Sequence, residues 1–282
     1  INKINLYYMY GLHIDSTPKT LYTEIDKYKS LKCIQLFVNI DKKYKSYYND
    51  LRNITKKYNI QNIIHASYTI NIAQNWDEYS WWINQLLLEI NIANKINAKF
   101  IVLHLGKSLD IDTTVALNNM YSSLLYIANK TKDIPIKILL ETSSGQGSEM
   151  CIKLEELSHF INKLLNHKNK SISDKFGICI DTCHIFSAGY DINTKQSVSN
   201  YLKKFDELIG IKNIKLFHLN NSKTKLGSNI DRHDNLEQGT IQIEGLKELI
   251  KFAHKLEIPL ILETPDKNIK DDLYLLKLII NY

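Results

Sequence analysis

The 282-residue sequence predicts a single-domain (β/α)8 barrel spanning residues 1–282, on three observations. Short runs rich in β-branched and aromatic residues recur eight times along the chain. The stretches between them carry apolar residues at helical spacing. Eight strand–helix units in this length suit a closed barrel, whose usual size is about 250 residues. An open doubly wound sheet is the alternative, weakened by the absence of a G-x-G-x-x-G loop after the first run.

Taken in order, the first run is INLYYMYGLHI at Ile4–Ile14. Thr17 and Pro18 then read as an N-cap and a first helical position ahead of KTLYTEIDKYKSL. The second strand is CIQLFVN at Cys33–Asn39, and the third NIIHAS at Asn62–Ser67. Over Asp77–Asn97, Trp82, Leu86, Ile90 and Ala93 share one face, which predicts an amphipathic helix. FIVLHLG at Phe100–Gly106 and IKILLET at Ile136–Thr142 supply strands four and five. CIKLEELSHFINKLLNHK again has helical spacing. FGICIDT at Phe176–Thr182 and IKLFHLN at Ile214–Asn220 follow; IEGLKELIKFAHKLE is a last helix, and PLILETP at Pro259–Pro265 the eighth strand. Strands apolar at nearly every position belong to a parallel sheet covered by helices.

Composition narrows the class. The chain is 44% hydrophobic and 23% charged, ordinary for a globular protein. No apolar run reaches the roughly 20 residues a membrane span needs, so no membrane partner is expected. The start lacks the pattern of a signal peptide. Cys33, Cys151, Cys179 and Cys183 show no disulfide-framework spacing and fit a reducing compartment, cytoplasm or nucleus. The net charge of +6 favours an anionic partner. Arg52 and Arg232 are the sole arginines, and the wealth of Lys, Asn, Ile and Tyr is the mark of an AT-rich genome, which discounts part of that signal.

The apolar runs end in polar residues. His65, His104, Glu141, Asp181, His218 and Glu263 close strands three to eight. In a barrel these ends converge on one mouth, where this fold builds its active sites. Three carboxylates and three imidazoles crowded together repel or stay unsatisfied unless cations hold them. Divalent metals solve that problem; the donor set suits zinc, with manganese the alternative at one site. Asp231 and His233 lie two apart, so an extended loop points both the same way. With His184, just beyond Asp181, they make a separate two-histidine, one-aspartate set.

Together the motifs GICIDTCHIFSAGYDI, FHLNNSKTKLGSNIDRHDN, LLETSSGQGS, IIHASYTINIA and LILETPD resemble the endonuclease IV family of apurinic/apyrimidinic endonucleases, in order from about Ile63 to Asp266. The resemblance implies a TIM-like barrel, three zinc ions per chain and double-stranded DNA cleaved 5′ to an abasic site, leaving a 3′-hydroxyl and a 5′-deoxyribose phosphate. It implies that His65, His104 and Glu141 hold one zinc. Glu141 would bridge to a second ion held by Asp181, His218 and Glu263, and His184, Asp231 and His233 would hold the third. Glu141 and Glu263 are then the candidate catalytic carboxylates. Metal ions suit this chemistry, because a phosphodiester is anionic and repels nucleophiles until its charge is neutralised.

For DNA contact, Tyr68 matches the position where the family inserts an aromatic residue into the base stack. Arg232, between two proposed ligands, could reach a phosphate as readily as form a structural salt bridge. Lys42, Lys43 and Lys45, in the tyrosine-rich DKKYKSYY, suit phosphate contact and equally suit a solvated helix start. The chain departs from the family in NIDKKYKS, in HLGKS where a proline usually follows the histidine, in Asn221 for a common aspartate, and in LEQG. Cys179 and Cys183 read as packing residues. A monomer is expected. Two rivals remain: a metal-dependent sugar isomerase or epimerase of the same barrel type, needing one or two ions, and a module that binds damaged DNA without cutting it.

Overall fold

The computed structural model describes residues 9–14, 17, 20–27, 31–41 and 44–281. Lys42, Lys43, Pro18 and the first half of the first predicted strand lie outside those residues. Eight parallel strands close into a barrel: β1 (Tyr10–His13), β2 (Cys33–Phe37), β3 (Gln61–His65), β4 (Ala98–His104), β5 (Lys137–Glu141), β6 (Phe176–Asp181), β7 (Ile214–Leu219) and β10 (Leu260–Leu262). Each pairs with its sequence neighbours, and β1 with β10 completes the ring. Helices α1 (Leu21–Lys27), α2 (Lys45–Tyr58), α3 (Trp81–Lys95), α4 (Thr113–Lys130), α5 (Leu154–Leu165) and α6 (Lys170–Ser173) follow in turn along the chain. α7 (Thr182–Ser187), α8 (Lys195–Leu208), α9 (Ile243–Lys255) and α10 (Ile269–Asn281) come after them, and β8 (Asn221–Ser222) and β9 (His233–Asp234) form a short antiparallel ribbon above the mouth.

Two apolar cores result from the period-2 alternation of strand side chains. The larger lies between strands and helices and includes Trp82, Leu86, Ile90 and Ala93, the face predicted for α3. The smaller fills the barrel: Cys33, Ile63, Phe100, Val102, Leu139, Cys179, Leu216 and Ile261. At β1 the inward position is Gly11, where an added Cβ would meet the Cys33 carbonyl oxygen at 1.9 Å. Advancing two residues from this layer keeps the same face and reaches the mouth. Those residues are His13, Gln35, His65, His104, Glu141, Asp181, His218 and Glu263, one from every strand. The barrel interior is thus an apolar floor under a ring of polar groups.

Candidate metal centre

The strand register sets ligands side by side. His104 is paired with Glu141, and Asp181 with His218. Glu141 is 2% exposed and its two oxygens face different neighbours. Oε1 is 2.8 Å from His218 Nδ1, while Oε2 is 3.4 Å from His65 Nε2 and 3.0 Å from His104 Nε2. Glu263 Oε2 lies 3.3 Å, and Asp181 Oδ2 3.8 Å, from the same His218 nitrogen. Glu141, Asp181, His218 and Glu263 each offer a donor atom within 4.8 Å of the others.

The other three predicted ligands come from α7, from β9 and from the loop that leads into β9. Asp181 caps α7, its Oδ1 accepting from the His184 backbone N–H at 2.9 Å, so His184 stands one turn above it. The β8–β9 ribbon returns the chain over the mouth and carries Asp231 with it. Asp231 Oδ2 is 3.2 Å from His184 Nε2, and Oδ1 is 3.1 Å from His233 Nε2. All nine predicted ligands therefore meet in one continuous cluster, with the half-buried His104 at its open edge.

Whether a cation suits the cluster is tested by its polar atoms. Among the described residues, Glu141 Oε2 and His233 Nε2 are buried and make no well-formed hydrogen bond, although His104 Nε2 and Asp231 Oδ1 lie 3.0 and 3.1 Å from them. Such groups are costly in a protein interior, and both are hard or borderline donors aimed at further donors. The electrostatics agree. Burial resists charge on Glu141, but His218 and His104 outweigh it and hold the carboxyl well below its usual range. Asp231, likewise resisted by burial, is depressed by His184 and His233. Burial works against His233 as well, yet Asp181 and Asp231 push it up to about 9. His65 is the exception: burial dominates and lowers it. The residues fit divalent metal.

A supporting layer orients the predicted ligands. His65 Nδ1 lies 2.8 Å from the Ala66 carbonyl, His184 Nδ1 2.7 Å from the Thr142 carbonyl, and His233 Nδ1 3.3 Å from the Glu263 carbonyl. Asn220 donates to Asp181 Oδ2 at 2.7 Å and accepts from the Glu263 backbone N–H at 3.0 Å. Neither Asn220 nor the strand-end pair His13 and Gln35 stood out in the sequence. Alignment of the strands by inward parity would have found the latter two.

Two cysteine assignments come out differently. Cys179 is a packing residue of the barrel interior. Cys183 is also fully buried, but its Sγ donates to Asp231 Oδ1 at 3.8 Å and lies within 4.8 Å of donor atoms of Asp181 and His233. Burial pushes its thiol up to about 12, so it acts there as a protonated donor.

Around the mouth, Tyr68 is 64% exposed and packs edge-on against Phe37, itself 40% exposed, with ring centroids 4.8 Å apart. Arg232 is exposed, with its guanidinium 3.4 Å from Gln146 Oε1. Lys45 is exposed at the start of α2. Asn221 has a clear structural use. Its amide donates to the Leu236 and Ile241 carbonyls at 2.7 and 2.9 Å, while its oxygen accepts from the Ser222 and Ile241 N–H groups. An aspartate has no protons to give those carbonyls.

Comparison with known proteins places this geometry. A family model described as a xylose isomerase-like TIM barrel matches residues 27–278. A "probable endonuclease 4" of Mycoplasmopsis synoviae is 44% identical over 206 residues, which cover 72% of this chain and 69% of the relative. Its counterpart in Mycoplasmopsis pulmonis is 35% identical over 270 residues, covering 90% and 92%. The crystal structure of endonuclease IV from Thermus thermophilus superposes with a TM-score of 0.77 at 22% identity, covering 97% of this chain and 99% of that one. A D-tagatose 3-epimerase-like protein shares the fold, with a TM-score of 0.71 at 18% identity over 97% and 98% of the two chains.

Proposed function

Because this chain belongs to the endonuclease IV family of hydrolytic AP endonucleases, we propose that it incises double-stranded DNA 5′ to abasic sites in base excision repair, with three zinc ions held by the nine-residue cluster. The observation that carries the reading is the His184–Asp231–His233 triplet. A sugar isomerase needs one or two ions at the strand ends and has no use for three further donors above them. The complete set argues equally against a module that only binds DNA.

In this reading Glu141 joins two ligand sets through its separate oxygens, and His65 and His104 share one of them. Asp181, His218 and Glu263 complete the deeper set. Bound metal supplies charge neutralisation at the phosphate and an acidified water. The chain's own residues hold the donors in place and set an apolar floor beneath them. Tyr68, with Phe37 beside it, offers an exposed aromatic surface on which a base can stack, worth about 1–3 kcal/mol per base. Arg232 and Lys45, with Lys42 and Lys43, supply positive charge for the backbone.

The test pairs metal analysis with cleavage of a duplex carrying one tetrahydrofuran abasic analogue. Three zinc per chain and a single cut leaving a 3′-hydroxyl are expected. Glu141→Gln should retain DNA binding while incision falls by orders of magnitude, because a charge shared by two ions is lost. An intact duplex alongside isomerisation of free sugars would replace this reading with the epimerase one.

A further inference from the structure

We propose that Gln35 is a positioning residue of the metal centre: its side-chain amide selects which nitrogen His218 presents and fixes the carboxylate of Glu263 beside it. The inference rests on the reading of the cluster as a metal site. Gln35 stands inside the barrel on β2 and is 0% exposed. A buried amide must spend both ends on partners. Its Nε2 donates to Glu263 Oε1 at 2.6 Å and lies 3.0 Å from His13 Nδ1; its Oε1 is 2.9 Å from His218 Nε2.

The chemistry of the partners fixes this orientation. An ionised carboxylate only accepts, so the end facing Glu263 must be the NH2 group. The end facing His218 is then the carbonyl oxygen, which requires a proton on His218 Nε2. That leaves Nδ1 as the atom turned towards Glu141, Glu263 and Asp181, at 2.8, 3.3 and 3.8 Å.

His218 is unlike three of the other proposed ligand histidines in this respect. His65, His184 and His233 rest Nδ1 on main-chain carbonyls and present Nε2. Those supports cannot be mutated away. His218 is turned the other way round, and a side chain holds its outer nitrogen. One neutral amide, with an acceptor at one end and a donor at the other, thereby serves an imidazole and a carboxylate of the same ligand set. Outer-shell partners of metal ligands are typically worth about 10–100-fold in metal affinity.

The experiment compares wild type with Gln35→Met, nearly isosteric and unable to hydrogen-bond in this way. Zinc affinity is read by competition with a chromophoric chelator. The His218 ring nitrogens are read by long-range nitrogen–proton correlation spectra of the zinc-loaded protein. Wild type should show a protonated Nε2 and a zinc-shifted Nδ1. The variant should bind its weakest-held zinc about 10–100-fold less tightly, with the His218 signals broadened or exchanged. Equal affinity and unchanged His218 signals in the variant would overturn the proposal, assigning Gln35 to space-filling. Circular dichroism of the metal-free proteins identifies a variant that has failed to fold. In that case the wild-type spectrum decides, since zinc on Nε2 with a protonated Nδ1 refutes the assignment. Wild type that binds zinc as described but leaves abasic DNA intact would sink the proposed activity and leave this inference standing.

Discussion

Glu89 shows what a single buried side chain does to the support of the site. It lies in α3, 1% exposed, and accepts from the Ser67 backbone N–H at 3.2 Å and from Gln85 Nε2 at 2.6 Å. Ser67 precedes Tyr68, so this carboxyl braces the loop that carries the exposed aromatic. Burial pushes Glu89 up from 4.5 to about 7, against the lowering effect of its two hydrogen bonds. A raised folded-state value means that folding favours the protonated form. Its contribution is complete below pH 4.5 and is lost as the pH rises through about 7. Glu89→Gln never charges, so between pH 4.5 and 8 the metal-free variant should lose about 3 kcal/mol less stability than wild type. Its denaturation midpoint should also vary less across that window, as urea titrations at several pH values would show. Parallel pH profiles for the two proteins would contradict the assignment. Legibility at this scale was uneven. His65, His104, Glu141, Asp181, His218 and Glu263 were visible because each ends an apolar run. Gln35 was not, because a parallel strand buried on both faces hides which parity points inward.

Among the elements, the strands were readable and their ends less so, for reasons that individual hydrogen bonds explain. The eighth strand was expected over Pro259–Pro265 but spans Leu260–Leu262. Its flanking prolines have no N–H for a ladder, and the Glu263 N–H turns instead to Asn220 Oδ1. The second strand stops at Phe37 because the Tyr48 hydroxyl takes both the N–H and the carbonyl of Asn39. Helix α3 starts at Trp81 rather than Asp77, since Asp77 and Ser80 close a side-chain-bonded turn of their own. The segment between β2 and α2, together with the first residue of α2, carries the lysines proposed for DNA. Neutralising Lys42, Lys43 and Lys45 together should weaken DNA binding and make its salt dependence shallower, by about one unit of slope for each phosphate no longer neutralised. Metal content and single-turnover incision at saturating DNA should stay near wild type, because phosphate contacts set affinity and register. An unchanged salt slope would return these lysines to an ordinary solvated helix start.

Across the whole molecule, the cluster ties most of the barrel together, so metal and fold should be lost together and slowly. The proposed ligands come from the C-terminal ends of six barrel strands, from α7 and from the β8–β9 ribbon, and most of them are buried. Brief exposure to chelator at neutral pH should therefore leave much of the activity, whereas prolonged treatment should remove metal and lower the melting temperature. The stabilisation from a ligand present at a thousandfold its dissociation constant is about 4 kcal/mol. Immediate and complete loss at low chelator, restored by magnesium alone, would instead indicate a loosely bound ion and a different nuclease chemistry. The barrel itself was evident from the strand–helix rhythm. The path of the β8–β9 ribbon was not, because it depends on distant segments meeting in space.

The seam where β10 meets β1 has a consequence for how the protein comes into being. Tyr10, Gly11 and Leu12 pair with Leu260, Ile261 and Leu262. The Glu263 carboxylate that follows completes contacts with His13 and Gln35, set down 250 and 228 residues earlier. A chain emerging from the ribosome displays His65, His104 and Glu141 long before this last partner exists. Any ion captured then sits in an unfinished cage with an open side, free to leave again. Secure retention begins only when the final strand slots home. On the proposed metal reading, firm retention would therefore wait on the last strand, and a chain halted before Glu263 would lack one of the four donors grouped around His218.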